Sequence, residues 1–228
     1  MAYQAVIFDL YGTLVDFLPD EEYRTVHVEL AGVFGIPTEE FRRLWYASML
    51  DRDTGVFGDE EGYFRFICRE FGREPLPEQL ERAVNLRLAL IRRNLVPRAG
   101  AQETFAALEA RGIRRGLISD CAPAVPRVWP ETALAACIDA AIFSCAAGMR
   151  KPDPRIYRQV CDRLGVEPRQ CLYVGDGGSH ELTGARRAGM TPVLIRVDDD
   201  DYDKALRPDA QEWEGPVIAH LPAILGYL

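Results

Sequence analysis

The run Ala5-Val6-Ile7-Phe8 constrains this chain more than any other feature: four continuous apolar residues that end on Asp9 and then on the turn signal Tyr11-Gly12-Thr13. A short run that is apolar at every position, rather than at alternate ones, belongs to a strand buried on both faces, and such strands sit in parallel sheets covered by helices. Asp9 is thereby placed at the carboxyl end of a buried strand. The pattern then changes. From about Asp20 to Arg93 helical spacing dominates, as in Tyr23, His27, Leu30, Ala31 and Phe34, with breaks at Gly35-Ile36-Pro37 and Glu74-Pro75-Leu76-Pro77. This predicts four or so helices and no strand.

Beyond Pro97 the chain alternates. A helix is expected over about Ala101 to Ala110, then strands at Gly116 to Ser119 and Ala140 to Ser144. A helix from about Pro154 to Leu164, a strand at Cys171 to Asp176, a helix through Glu181 to Ala188 and a strand at Pro192 to Val197 complete the series. Strands separated by helices imply a parallel sheet with helices on both faces, because each right-handed crossover must return over the sheet. The first strand has no crossover helix of its own, since the helical segment intervenes. The expected fold class is therefore α/β: a Rossmann-like three-layer core with a parallel sheet, formed by residues 1–16 and 96–228, and an inserted α-helical cap at 17–95. The acidic run Asp198 to Asp201 reads as a solvated loop, since adjacent like charges resist burial.

Composition narrows the partners. The chain has 228 residues, 48% hydrophobic and 27% charged, which suits one core carrying a smaller insert. A formal net charge of −8 opposes a nonspecific grip on nucleic acid or anionic lipid. No apolar run approaches the roughly 18 residues of a membrane span, and the start MAYQAVIFDLYGTLVDF lacks a basic leader and a small-residue cleavage site. Cys68, Cys121, Cys137, Cys145, Cys161 and Cys171 form no CxxC pair and no metal spacing, so they read as reduced core thiols of a cytoplasmic protein.

Ligand crevices of open parallel sheets lie outside the carboxyl ends of the strands. Four apolar runs lead into reactive residue types: Asp9 after AVIF, Ser119-Asp120 after GLI, Lys151 beyond AAIFS, and Asp176 after CLYV. A carboxylate nucleophile, a hydroxyl, a cation and a second carboxylate converge if the strand order permits. Glu181 lies just beyond Asp176, at the start of a helix.

These residues carry a family resemblance. Asp9-Leu10-Tyr11-Gly12-Thr13-Leu14-Val15, Ser119, Lys151-Pro152 and Gly175-Asp176-Gly177 resemble, in order, the four motifs of the haloacid dehalogenase superfamily, and the inserted helices resemble its helical cap. The resemblance spans Phe8 to Met190. It implies a hydrolase in which Asp9 attacks phosphorus or carbon and forms a covalent aspartyl intermediate. It further implies that Thr13, Ser119 and the amides around Leu10 to Gly12 hold substrate oxygens and that Lys151 neutralises the gathered charge. Asp120, directly after Ser119, is placed with the substrate-binding residues Leu10, Tyr11 and Gly12, and its position suits it to orient Lys151 or to cap the next turn. Asp9, Asp176, the backbone carbonyl of Tyr11 and Glu181, through a water or by orienting Asp176, would serve Mg²⁺.

The sequence departs from the phosphatase pattern at one place. Phosphatases of the superfamily carry an acid/base aspartate two residues after the nucleophile, and here that position is Tyr11. A phenol with a reference pKa of about 10 does not shuttle protons as a carboxylate does. Tyrosine there resembles the 2-haloacid dehalogenases, whose halide leaves without a proton and which need no metal. The fourth motif, Gly175-Asp176-Gly177-Gly178-Ser179-His180-Glu181, resembles the metal-binding phosphatase form instead. Because a metal site needs several acids placed together, the expectation is a Mg²⁺-dependent phosphatase acting on a small anionic metabolite. The alternatives are a metal-independent 2-haloacid dehalogenase and a binding protein on the same scaffold; retention of Asp9 and Lys151 speaks against the latter.

Other residues receive plainer readings. His27, on an apolar helical face, is a packed core histidine, and His180 and His220 complete no triad or metal spacing. Arg42 and Arg43 are solvated helix-face cations, and Val56 to Phe66 packs the cap. Tyr157 falls six residues after Lys151, a spacing that resembles the dehalogenases and that aromatic packing on the following helix explains equally well. The segments Asp16 to Asp20 and Leu95 to Gly100 are the expected hinges between cap and core.

Overall fold

The computed structural model describes residues 3–196 and 207–228. Its frame is a six-stranded parallel sheet in the order β3-β2-β1-β4-β5-β6. The strands are β1 (Ala5–Phe8), β2 (Arg114–Ser119), β3 (Ala140–Phe143), β4 (Cys171–Gly175), β5 (Thr191–Ile195) and β6 (Val217–Ile218). β1 lies at the centre, flanked by β2 and β4, and all four of its residues are fully buried. Chain order reverses across it, which makes the end of β1 the place where a crevice opens.

Why β1 is apolar throughout is visible in the layers. Alternate side chains of a strand point to opposite faces. Val6 and Phe8 join one apolar cluster with Phe105 and Leu108 of α6 (Ala101–Ala110). Ala5 and Ile7 join a second with Ile156 and Val160 of α9 (Pro154–Leu164) and Leu182 of α10 (Glu181–Ala188). Helix, sheet and helix form three layers, as the sequence predicts.

Between β1 and α6 run five helices: α1 (Asp20–Phe34), α2 (Thr38–Ala47), α3 (Met49–Asp53), α4 (Glu60–Glu70) and α5 (Pro77–Asn94). The periodic stripe of α1, from Val26 and His27 through Leu30 to Phe34, is its buried face. Gly35 ends α1 in the left-handed conformation, φ 64°, before Pro37, and Pro77 opens α5 where its missing N–H costs nothing. The helix beyond the expected four is α3, too short to show a period. The two segments joining this insert to the sheet run together: Val15 pairs with Pro97, and Arg98 donates to the carbonyl of Gly12 at 2.7 Å and the carboxylate of Asp16 at 2.5 Å.

Element ends shift slightly from expectation. β2 starts at Arg114, β3 stops at Phe143 because Ser144 opens α8 (Ser144–Ala147), and β5 begins at Thr191. β6 and the short helices α7 (Ala124–Val128) and α11 (Pro208–Gln211) carry too few residues for a period to appear. Val197 and the acidic run from Asp198 to Asp201 lie outside the described residues. All six cysteines are free; Cys137 and Cys145 are only partly buried rather than core. Among the described residues no helix is long and apolar enough to cross a membrane.

Candidate active site

β1 delivers Asp9 to the sheet's carboxyl edge, and the Asp9 amide extends the ladder by donating to Val174 O at 2.9 Å. The chain then turns tightly, with Leu14 N–H and Val15 N–H both donating to Leu10 O. Gly12 makes this turn at φ 80°, and a Cβ there would collide with the Asp176 carboxylate and the Phe17 ring, so only glycine fits. Its amide is spent inside the turn on Val15 O at 2.8 Å. This corrects the expectation that the Gly12 amide serves a substrate oxygen. Thr13 Oγ1 and Ser119 Oγ, by contrast, are buried with no hydrogen-bond partner. Native structures rarely leave buried hydroxyls unmade; Thr13 stands on the loop after β1, and Ser119 is the last residue of the adjacent strand β2.

Lys151, only 4% exposed, joins the distant motifs. Its Nζ donates to Asp9 Oδ1 at 2.5 Å and to Glu181 Oε2 at 2.6 Å. Its own backbone is anchored, because Asp120 Oδ1 accepts from the Lys151 amide at 3.0 Å while Asp120 Oδ2 pairs with Arg150 at 3.3 Å. Asp120 therefore positions the lysine loop, as one of its two expected roles required. Arg150 also reaches the fourth motif, donating to Ser179 Oγ at 2.9 Å.

The fourth motif is bent around Asp176 and Glu181. Gly177 stands at φ 91° against Ala210, and Ser179 and His180 each at φ 52°. Asp176 Oδ1 accepts from Gly178 N–H at 3.0 Å, and Oδ2 from Arg207 at 2.7 Å. Glu181, fully buried, accepts from Gly177 N–H at 3.0 Å on Oε1 and from Lys151 and Tyr173 OH (2.8 Å) on Oε2. Tyr157 OH donates to Glu181 O at 2.9 Å, so its place after Lys151 supports the motif from behind. Oxygens of Asp9, Asp176 and Glu181 come within 4.8 Å of one another.

Electrostatics follow from this crowding. Burial pushes the Asp9 carboxyl up to about 6; Lys151 opposes the shift and Asp176 adds to it. Glu181 is raised well above the usual carboxylate range, by burial first, against the pull of Lys151. Burial would lower Lys151, but Asp9 and Glu181 beside it hold it well above its ordinary value, and so charged. Among the described residues, the carboxyl groups of Asp9, Asp176 and Glu181 are set against Lys151 and Arg207. Compact buried carboxylate oxygens of this kind are the donor set a hard divalent cation such as Mg²⁺ takes. Burial, with Tyr23, Cys121 and Asp9 adding, also raises Tyr11 well above the ordinary phenol value. The phenol stays protonated and offers no base.

Sequence reasoning missed four contributors. Tyr173 sits inside an apolar strand, and its hydroxyl was the only signal. Arg207 lies thirty-one positions from Asp176 with no motif around it. Arg87 and Glu60, both buried in the insert, meet at 3.9 Å; Arg87 falls on the apolar stripe of α5 between Val84 and Ile91, where a charge is out of place. His27 is fully buried among Tyr23, Phe41, Trp45 and Tyr46. His180 is exposed and meets Asp209. Arg43 is exposed as expected, while Arg42 is partly buried.

Known proteins resemble the chain over most of its length. The chain is 28% identical over 203 residues to phosphatase MT3486 of Mycobacterium tuberculosis, covering 86% of this chain and 88% of that protein. It is 25% identical over 197 residues to glyceraldehyde 3-phosphate phosphatase of Methanopyrus kandleri, covering 85% and 84%. Its fold matches a HAD phosphatase structure from Thermococcus onnurineus with a TM-score of 0.65 at 24% identity, over 98% of this chain and 97% of that one. It also matches L-2-haloacid dehalogenase from Xanthobacter autotrophicus with a TM-score of 0.62 at 23% identity, over 97% and 96%. The family description "haloacid dehalogenase-like hydrolase" fits residues 3–189. The chain belongs to the haloacid dehalogenase-like hydrolases.

Proposed function

We propose that this hydrolase is a Mg²⁺-dependent phosphatase that cleaves a small phosphorylated molecule through attack by Asp9. The observation that carries the reading is the buried carboxylate cluster of Asp9, Asp176 and Glu181 around Lys151. A dehalogenase that needs no metal would give Asp176 no ion to hold. The relatives named as phosphatases support the same reading.

In this scheme Asp9 Oδ attacks phosphorus, the ester P–O bond breaks, and a water later hydrolyses the aspartyl phosphate. Lys151 stabilises the charge gathered at Asp9. The unpaired hydroxyls of Thr13 and Ser119 bind phosphoryl oxygens. Mg²⁺ held by Asp9, Asp176 and the Tyr11 carbonyl would supply further charge neutralisation, while Glu181 holds Lys151 and the Gly177 amide in place. Tyr11 cannot protonate the leaving oxygen as a carboxylic acid would, so esters and anhydrides with low-pKa leaving groups react fastest. Residues 17–95 act as a cap over the core of 1–16 and 96–228 and exclude water from the crevice. The free cysteines accord with a cytoplasmic setting.

The test is product release from the purified protein: phosphate from 4-nitrophenyl phosphate and chloride from 2-chloropropionate, each with Mg²⁺ and with EDTA. Phosphate release that needs Mg²⁺ is expected. Chloride release indifferent to EDTA would transfer the assignment to the dehalogenase reading, which the phenol of Tyr11 favours.

A further inference from the structure

The insert holds a second buried charged cluster. Arg87 of α5 and Arg52 of α3 are 2% and 7% exposed, with guanidinium carbons 4.9 Å and 4.3 Å from the centre of the Trp45 ring. The carboxylate of Glu60, at the start of α4, lies 3.9 Å from Arg87 Nε, beyond hydrogen-bond reach. Arg87 Nε and Nη1 and Glu60 Oε2 are all buried with no hydrogen-bond partner. Each such group left unmade costs about 1–3 kcal/mol.

A pair that only pinned α4 to α5 would close that gap, and an apolar pair of similar volume would serve stability at least as well. Glu60 is held away: its Oε1 accepts from the Ala124 amide at 2.9 Å, where α7 of the core begins. Arg87 is thus fixed at the junction between insert and core. Its charge there reaches the phenols of Tyr11 and Tyr23, and Tyr11 stands two residues from Asp9. The neighbouring Ser144 hydroxyl donates to Asp53 O at 2.6 Å, so the insert is seated on the core beside this point. A planar guanidinium with unpaired N–H groups, desolvated beside the start of α7, is a receptor for an oxyanion.

We propose that Arg87 selects the substrate by binding a second oxyanion, a carboxylate or a further phosphate, at the end of the molecule remote from the phosphoryl group that Asp9 attacks. This rests on the phosphatase reading. It makes the substrate a phosphate ester with two anionic ends, and it gives the insert its share of specificity.

The test compares the aryl esters phenyl phosphate, 4-carboxyphenyl phosphate and 1,4-phenylene bisphosphate, whose phenolate leaving groups need no acid, with the Mg²⁺-loaded enzyme. The unaltered protein is expected to prefer one charged-tail ester over phenyl phosphate by at least about tenfold in kcat/KM, and which one identifies the oxyanion. In Arg87→Met/Glu60→Gln, where both charges leave together and packing is kept, that ratio falls towards one, with the loss in KM. Arg87→Lys retains part of the preference. Melting temperatures of all variants are recorded, so that a folding defect is seen directly. The same three compounds are titrated calorimetrically into Asp9→Asn protein, where binding is read without turnover. If all esters are cleaved with no preference, or if the preference survives the double substitution, the assignment of Arg87 is overturned and the phosphatase reading stands. If no ester is cleaved but charged-tail compounds bind more tightly in an Arg87-dependent way, the phosphatase reading falls and the anion site remains.

Discussion

Two groups of buried charges share this molecule and are satisfied to different degrees. Around Asp9, Lys151 meets its two carboxylates at 2.5 and 2.6 Å, and Glu181 has a donor on each oxygen. In the insert, Arg52 stands 3.7 Å from Asp53 and Arg87 3.9 Å from Glu60, with nitrogens left unpaired. A buried charge is tolerated when its network closes and is costly when it does not. The core cluster is thus assembled in advance and holds the Asp9 carboxyl in place. The insert cluster, like the hydroxyls of Thr13 and Ser119, keeps polar atoms without a partner.

Substitutions can sharpen or break this contrast. The largest effect is expected at Asp9: Asp9→Asn removes the nucleophile but keeps the shape, and phosphate release should fall by at least about 10⁴-fold. Retained turnover would end the mechanism. Lys151→Met strips the closed network of its cation and leaves Asp9 and Glu181 facing each other. A loss of about 3–5 kcal/mol in urea unfolding should accompany loss of activity. If stability is unchanged, the core cluster is not the closed network described above.

Asp176→Ala should abolish Mg²⁺-dependent phosphate release and weaken Mg²⁺ binding measured by calorimetry; activity that survives it would favour the rival reading. The insert offers a pH test. Burial first, then Arg87, Arg42 and Arg52, hold His27 down to about 3, below its unfolded value of about 6.5. Between those values the unfolded chain takes a proton that the folded chain refuses. The stability it contributes is therefore complete above about pH 6.5 and is lost as pH falls towards 3, amounting to about 2–3 kcal/mol by pH 4.5. His27→Phe should flatten the stability profile between pH 7 and 4.5 by that amount, and an unaltered slope would count against it.

The smallest change is the most diagnostic. Thr13→Val replaces an unpaired buried hydroxyl by a methyl of similar size, so stability should hold or rise by about 1 kcal/mol while phosphate release falls by about 10–100-fold. A clear loss of stability would mean that the hydroxyl is satisfied without substrate.

Much of this was legible along the chain. The strand Ala5–Phe8 and the helices Ala101–Ala110, Pro154–Leu164 and Glu181–Ala188 appear where their periodicities place them. Asp9, Lys151, Asp176 and Glu181 meet as their positions after the apolar runs suggested. The Gly12 amide shows the limit: its residue type announced a tight turn, but which carbonyl the amide would meet depended on Val15 folding back. Arg87 shows another, for a charge on an apolar stripe is a visible anomaly whose partner is not written beside it.

Sequence alone determined the layers and the chemical types at the strand ends, because the two-residue period of strands and the 3.6-residue period of helices are local properties. Only the tertiary structure decided that Arg207 caps Asp176 and that Glu60 is drawn to Ala124 and away from Arg87. These contacts join residues far apart in the chain, and the state of a buried charge depends on every group that surrounds it, wherever in the sequence that group lies.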